Sequence, residues 1–423
     1  MKAVILAAGK GVRLRPLTLT KPKALLPVGN IPVIQHVLDS VKKNGVKEVL
    51  IVVGYLGEKI QSLVRDGSKF GLKVNYVWQK HVGGTGEALS LVSDFLDETF
   101  LVVYGDLYVT SSAIKKVLQT YKRRRSSVLA LVEVENPKDY GVVKIDKEKR
   151  LMSIEEKPEK PSTNLVNAGI YVFTKEIFGE IAKTKESVRG EVELTDAIQS
   201  LAKKGLEVYT VKLGEDEWVD LGKPWDLLKA NEKFLGRMKK RLVRGKLEKN
   251  VKIKGPVKVE ANAVLKDGVY VEGPVIVGAG SVVGPNCYLR AYTCLGRDVR
   301  VGAGCEIKNC IVMDKTKIPH LSYFGDSIIG ENCNFGAGTL VANLRFDKKN
   351  VKTVVKGEVV DTGRKKFGVV VGDNVQTGIN VSLMPGIKIG PNSQIGPNIS
   401  LHRDIPANTR ILLKQTLKFE EIG

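Results

Sequence analysis

From Ile253 onward, one apolar side chain recurs at every sixth residue. Ile253, Val259, Leu265, Val271, Val277, Val283, Leu289, Leu295, Val301 and Ile307 follow without a break. The series resumes at Ile329, Phe335 and Val341, and again at Val371, Leu383, Ile389, Ile395 and Leu401, with Thr377 in register. Glycine often comes next, as at Gly278, Gly296, Gly302, Gly330, Gly372 and Gly390. A six-residue period fits neither an α-helix, which repeats at about 3.6 residues, nor a strand, which repeats at about 2. It fits a parallel β-helix whose stacked coils share one apolar axis, with one inward side chain per hexad and a corner after it. The spacing does not fix the hand of the coil, since ordinary parallel crossovers are right-handed. The hexads break at residues 317–326 and from Ala342 through about Lys366, and a solenoid admits such interruptions where they serve a site.

The first 230 residues follow another rhythm. Pro32 to Gly45 reads as a helix, with Pro at its start, Gly as its stop, and Val33, Ile34, Val37, Leu38 and Val41 on one face. Val49 to Val53, Val74 to Val77 and Phe100 to Tyr104 read as buried strands, and Glu58 to Val64 and Glu87 to Leu96 as helices. That βαβ alternation predicts a doubly wound, mostly parallel sheet, with ligands beyond the carboxyl ends of its strands. The boundaries expected are 1–230 for this domain, 231–250 for a basic linker helix, 251–407 for the coil and 408–423 for a C-terminal tail.

The N-terminus adds chemistry. Residues 1–27 read MKAVILAAGKGVRLRPLTLTKPKALLP. The apolar run Ala3 to Ala8 feeds a glycine turn at Gly9 and Gly11, and Arg13, Arg15, Lys21 and Lys23 follow. Backbone N–H groups on such a turn can cradle phosphate oxygens, whose charge the cations neutralise. A dinucleotide fingerprint would need a third glycine where Leu14 stands, and a Walker loop would need Gly-Lys-Ser/Thr after four intervening residues. Neither is present.

This segment resembles the signature of the sugar-1-phosphate nucleotidylyltransferases, L-A-A-G-x-G-x-R-L-x-P-L-T followed by K-P-K-x-L-x-P. The resemblance implies an α/β doubly wound, Rossmann-like domain. It implies nucleotide contacts from Leu6, Ala8, Gly9, Gly11, Gln79, Gly84 and Thr85, catalytic roles for Arg13 and Lys23, and Mg²⁺ at Asp106 and Asp220. Tyr140-Gly141, Glu155-Glu156-Lys157-Pro158 and Asn167-Ala168-Gly169 resemble the family's sugar-binding elements. Gly141, Glu156, Lys157 and Asn167 would then hold the sugar-1-phosphate. Read alone, residues 79–85 equally fit a plain hairpin, Asp106 a turn, and Asp220 a helix N-cap.

The interrupted stretch of the coil carries a second resemblance. Pro319-His320-Leu321-Ser322-Tyr323-Phe324-Gly325-Asp326, followed by Gly336-Ala337-Gly338-Thr339 and Asn343, is similar to the acetyltransferase half of bacterial bifunctional enzymes making UDP-N-acetylglucosamine. There the pattern is G-H-L-T-Y-x-G-D, then G-A-G-T-x4-N. The likeness implies a left-handed parallel β-helix of hexapeptide repeats, a homotrimer and acetyl-CoA as co-substrate. His320 would be the general base, since histidine titrates near neutral pH. Arg290 and Lys308 would hold the sugar phosphate, and Tyr323, Asn343, Lys349 and Lys352 would bind or orient the sugar. Pro319 departs from the pattern, as do residues 344–348. The combination is similar to archaeal bifunctional sugar-1-phosphate nucleotidylyltransferase/acetyltransferases. It implies UTP or dTTP with N-acetylglucosamine- or glucose-1-phosphate at one site, and glucosamine- or galactosamine-1-phosphate at the other. The alternatives are a nucleotidylyltransferase with a structural or regulatory coil, and a noncatalytic sugar-nucleotide sensor.

The formal net charge of +21 suits anionic small molecules. The basic runs at 122–125 and 239–241 lack interleaved aromatics, so nucleic acid is not expected as a partner. No apolar run approaches the roughly 18 residues of a membrane span, and the apolar run at 3–8 is too short for a signal peptide, so a cytoplasmic location is expected. Cys287, Cys294, Cys305, Cys310 and Cys333 lack zinc-ligand spacing and are expected in the core. His36, His81 and His402 are read as structural.

Overall fold

The computed structural model describes residues 1–81 and 83–422. Val82, inside the Gln79–Thr85 element, and Gly423 lie outside the described residues. The chain divides into two compact units: Met1–Gly11, Lys21–Leu26 and Ile31–Leu221 make the first, and Val12–Thr20, Pro27–Asn30 and Gly222 onward the second.

In the first unit, β1 (Lys2–Ala7), α1 (Val33–Lys43), β2 (Glu48–Val53), α2 (Gly57–Val64), β3 (Lys73–Trp78), α3 (Gly84–Ser90) and β4 (Thr99–Tyr104) alternate as expected. β1 pairs parallel with β2 and β4, and β2 with β3. Both faces of β1 are covered. Ala3, Ile5 and Ala7 join the core under Ile34, Val37, Leu38 and Val41 of α1, while Val4 and Leu6 join a second core with Ala88 and Leu89 of α3. Each Val, Ile or Leu side chain among these contributes about 1.5–3 kcal/mol on leaving water, which explains an unbroken apolar run in place of alternation. The expected helix at 87–96 starts earlier, as α3, and ends in a short 3₁₀ turn at Ser93–Phe95. Among the described residues of 79–85, Gly84 and Thr85 open α3 and no strand is present.

The other half of the sheet differs from a mostly parallel reading. After β5 (Leu107–Val109) and α4 (Ser111–Arg124) come β6 (Ser127–Glu133), β7 (Gly141–Ile145), β8 (Leu151–Glu156) and β9 (Leu165–Thr174). β9 runs antiparallel to β4, β6 and β7, and β8 is antiparallel to β7. The connection from β7 to β8 is too short for a crossover, so the pair can only be antiparallel. α5 (Glu176–Ile181), α6 (Leu194–Lys203), β10 (Val208–Lys212) and β11 (Trp218–Asp220) complete the unit, β10 parallel to β6.

The second unit corrects the expected linker. The helix is α7 (Pro224–Gly236), starting before residue 231 with Pro at its first turn. It is not solvated throughout: Leu227, Leu228, Asn231 and Leu235 are fully buried. Asn231 accepts the Gly29 N–H at 3.0 Å and donates to the Tyr292 carbonyl at 2.9 Å. The coil begins at Leu242–Val243, which pairs with Lys258–Val259, and not at 251. At the other end Arg410–Ile411 still pairs with Gln394–Ile395, so the coil takes the first residues of the expected tail.

The coil has three faces of stacked parallel strands. Val282 pairs with Arg300, eighteen residues on, so three hexads make one turn. Residues 317–326 do not break it. Ile311 pairs with Ile328 and Glu306 with Tyr323, seventeen residues on, so two corners have each lost one residue and shifted the apolar phase. Ile318 and Phe324 are fully buried on the axis. The stretch after Ala342 is a true insertion, carrying an antiparallel hairpin of Lys352–Val355 and Glu358–Asp361. Asparagines take left-handed corners, which Asn tolerates best after Gly. Asn332, Asn374, Asn392 and Asn408 are linked in a ladder of side-chain hydrogen bonds at 2.9 Å.

Two candidate active sites

The first site lies beyond the carboxyl ends of β1 and β4. The Gly105 N–H donates to the Leu6 carbonyl and the Tyr55 N–H to that of Ala8, which closes the sheet edge and leaves Gly9 and Gly11 as the following turn. Gly11 has φ of +60°. Asp106 follows β4, and β11 pairs antiparallel with β5 so that Asp220 sits opposite Leu107. Both carboxylates reach one cation: Lys23 Nζ stands 2.5 Å from Asp106 Oδ2 and 3.3 Å from Asp220 Oδ1. Among the described residues no group of three or more His, Cys, Asp or Glu could hold a metal ion. Two converging carboxylates still fit Mg²⁺, which is commonly held by one or two carboxylates, with phosphate and water completing the octahedron.

Gln79 leaves β3 and donates to Glu87 Oε2 at 2.6 Å and to the Gly84 carbonyl at 3.3 Å. Gly84 has φ of +93°, and a Cβ there would meet the Val192 carbonyl oxygen at 2.6 Å, so only glycine fits the start of α3. Thr85 Oγ1 accepts the Leu194 N–H at 3.3 Å.

Gly141, Glu156 and Asn167 come together. A Cβ on Gly141 would lie 3.2 Å from Glu156 Oε2 and 3.5 Å from the Asn167 Cβ. Asn167 sits where the pairing of β9 with β6 shifts register, and donates to the Tyr171 hydroxyl at 2.6 Å. Burial raises the Tyr171 pKa, and burial with the Tyr171 neighbour raises that of Tyr104, so both hydroxyls stay protonated. Lys157 Nζ is 3.2 Å from Glu156. Two residues that the sequence reading missed complete the cluster. Thr195 donates to Glu156 at 3.2 Å, and Arg189 lies 3.5 Å from Glu156 and 2.5 Å from Glu193. Burial, then the charges of Glu156 and Glu191, push the Glu193 carboxyl upward against the pull of Arg189.

The second site runs down one corner of the coil. Lys308 and Gly325 end successive strands of one face and Arg290 follows the strand before them, all three strands being in parallel register. Arg290 pairs with Glu306 at 2.8 Å. Asp326 gathers the rest: it accepts from Lys308 Nζ at 3.2 Å, from Asn309 at 2.9 Å and from Asn343 at 2.6 Å, and Asn343 also donates to the Tyr323 hydroxyl at 3.2 Å. Burial and the Asp326 charge raise the Tyr323 pKa. His320 is exposed at the preceding corner, its backbone carbonyl accepting from Ser322 and Gly338. It precedes Tyr323 by three positions, so their Cα atoms are within about 11 Å.

Lys349 and Lys352 are exposed on the insertion, and the structure does not join them to the Asp326 cluster. Arg13 lies on a 3₁₀ turn at Val12–Leu14. His36 is buried against the Tyr108 ring, whereas His81 and His402 are exposed. The five cysteines are free and buried. Among the described residues no helix is long and apolar enough to cross a membrane.

Residues 2–237 match the nucleotidyl transferase family, 271–381 the GMPPB C-terminal domain and 368–398 the bacterial transferase hexapeptide repeat, in keeping with a left-handed coil. The chain is 45% identical over 422 residues to a bifunctional protein GlmU of Methanocaldococcus jannaschii, with 100% of each covered. It is 43% identical over 413 residues to a bifunctional sugar-1-phosphate nucleotidylyltransferase/acetyltransferase of Sulfurisphaera tokodaii, with 96% of this chain and 98% of the relative covered. Among solved structures, a UDP-glucose pyrophosphorylase complexed with UDP-glucose superposes with a TM-score of 0.50 and 26% identity, over 55% of this chain and 97% of its own.

Proposed function

The chain belongs to the archaeal bifunctional sugar-1-phosphate nucleotidylyltransferase/acetyltransferases, and on that premise we propose how its two units divide the chemistry. The N-terminal unit transfers a nucleotidyl group from UTP or dTTP to N-acetylglucosamine-1-phosphate or glucose-1-phosphate. A phosphate oxygen of the sugar-1-phosphate attacks the nucleotide α-phosphorus in line, the bond to the β-phosphate oxygen breaks, and pyrophosphate leaves with that electron pair. No general base is required, so catalysis is positioning and charge neutralisation. Gly9 and Gly11 N–H groups, Arg13 and Lys23 meet the triphosphate. Leu6, Ala8, Gln79, Gly84 and Thr85 hold base and ribose. Gly141, Glu156 and Asn167 hold sugar hydroxyls, and Lys157 the sugar phosphate. Asp106 and Asp220 would hold Mg²⁺, which when bound supplies positive charge across the phosphate oxygens. The convergence of both aspartates on Lys23 supports this reading most, because it concentrates charge of both signs where a triphosphate and a dication must meet.

The coil acetylates glucosamine-1-phosphate or galactosamine-1-phosphate with acetyl-CoA. An imidazole nitrogen of His320 takes a proton from the amine, the amine nitrogen attacks the acetyl carbonyl carbon, and the C–S bond breaks with its electron pair on sulfur, which takes the proton back from the imidazolium so that CoA leaves as the thiol. Arg290 and Lys308 hold the phosphate, Tyr323 and Asn343 the sugar, and Lys349 and Lys352 reach the sugar from the insertion. A homotrimer through the coil and a cytoplasmic location complete the proposal. The test pairs each nucleoside triphosphate with several hexose-1-phosphates and reads pyrophosphate. It then supplies acetyl-CoA with each amino-sugar-1-phosphate and reads free thiol. Absence of pyrophosphate with every pair would sink the first half, and absence of thiol the second.

A further inference from the structure

Asp326 is a buried carboxylate (side chain 4% exposed) that no functional role so far uses. Two of its partners are residues given to the amino-sugar-phosphate: Lys308, and Asn343 with Tyr323 behind it. The third, Asn309, has no substrate role. Asn309 and Asp326 occupy the two shortened corners of the coil, both with left-handed backbone, at φ of 48° and 50°. The Asn309 N–H is fixed on the Ala291 carbonyl and that of Asp326 on Lys308, so the missing residues stack the two side chains directly. The Asn309 amide nitrogen donates to Asp326 at 2.9 Å and to Glu232 of α7 at 2.8 Å. Its oxygen has no partner among the described residues although it is buried, so the amide serves as a two-way donor between carboxylates. Glu232 is fixed in turn by Arg364 of the insertion at 2.5 Å.

Resting on the acetyl-transfer reading above, we infer that Asp326 is a positioning residue of the amino-sugar-phosphate site, and that Glu232 anchors it through Asn309. Asp326 sets where the Lys308 ammonium and the Asn343 amide present themselves to the substrate. Its own place is set by a helix that precedes the coil in sequence. A donor held on both sides loses less entropy on meeting a phosphate than a free lysine would.

Asp326→Asn keeps the shape and removes the charge. It should raise KM for glucosamine-1-phosphate about 10- to 100-fold, as expected for losing hydrogen bonds to a charged group, with KM for acetyl-CoA and the pyrophosphate-releasing reaction unchanged. Glu232→Ala, at a half-buried helix position, should shift the same KM in the same direction. Glu232→Gln, which keeps an acceptor for Asn309 and Arg364, should restore it. If the unaltered protein releases no thiol, the acetyl-transfer reading falls and the relay with it. If it does, and both Asp326→Asn and Glu232→Ala leave that KM within about twofold or raise both KM values alike, the relay alone is overturned.

Discussion

Lys23→Ala separates charge chemistry from architecture. Lys23 is 13% exposed, and its aspartate partners are 30% and 17% exposed, so the triad is partly but not fully shielded from water. At an effective dielectric of about 20, a unit-charge pair about 4 Å apart amounts to about 4 kcal/mol before desolvation is subtracted. Net values run from about 0–1 kcal/mol for exposed pairs to about 3–5 kcal/mol for breaking a buried one, which brackets the stability loss near 2 kcal/mol. At about 2–4 °C per kcal/mol for a unit of this size, the melting midpoint should fall by about 4–8 °C. Removing a preorganised donor from developing phosphate charge costs about 10²–10³ in kcat. Pyrophosphate release at saturating triphosphate and Mg²⁺ should therefore drop by hundreds at a temperature where circular dichroism still shows a folded protein. A rate within about fivefold of the parent, or a loss that merely follows unfolding, would refute the assignment of Lys23 to the triphosphate.

Other outcomes follow from the same geometry. Gly141→Ala sets a methyl 3.0 Å from Thr195 Cγ2 and 3.2 Å from Glu156, so it should raise KM for the sugar-1-phosphate while sparing that for the triphosphate. Gly84→Ala forces a side chain to φ of +93° against the Val192 backbone, at a strain of about 1–3 kcal/mol, and a lowered urea midpoint would register it. Burial pushes the Cys287 thiol up to about 11 and those of Cys294 and Cys310 up to about 12, so native protein should resist iodoacetamide at neutral pH and take five labels once unfolded. The Glu193 and Asp196 carboxyls are both raised, first by burial. Between the ordinary carboxylate range and these raised values the folded chain holds protons that the unfolded chain has released, so their contribution to stability falls as pH rises. The parent's urea midpoint minus that of Glu193→Gln should fall from about pH 4 to about pH 7, and a rise would contradict the sign.

Much of this was legible in the primary structure, for reasons that differ by region. The hexads show plainly because each inward side chain faces a shared axis, and Val259, Leu265, Val271 and Val277 are indeed buried. The stretch at 317–326 looked like a break because deleting one corner residue moves the apolar phase from Ile307 to Val312, and fixed-period reading loses the thread there. Asp326 went unassigned for the same reason: its importance lies in stacking on Asn309, which only the shortened corners produce. The α7 boundary was misplaced because the polar run after residue 231 masks Asn231 and Leu235, which face inward, while Pro224 marks the true start. The antiparallel strands from 127 to 174 carry no α-helical spacers, only a 3₁₀ turn at Pro137–Asp139, so no βαβ rhythm could reveal their order. Arg189 and Thr195 reach Glu156 only by long-range folding, and spacing along the chain gives no sign of it.

Two independent chemistries on one chain are most directly tested by a crossed pair of variants. Lys23→Ala and His320→Ala are each assayed for pyrophosphate release from triphosphate and sugar-1-phosphate, and for thiol release from acetyl-CoA and glucosamine-1-phosphate. Lys23→Ala should lower the first by hundreds and retain the second, and His320→Ala should lose the second and retain the first. Loss of both activities in either folded variant, or retention of thiol release in His320→Ala, would contradict the division of labour derived from these two sites.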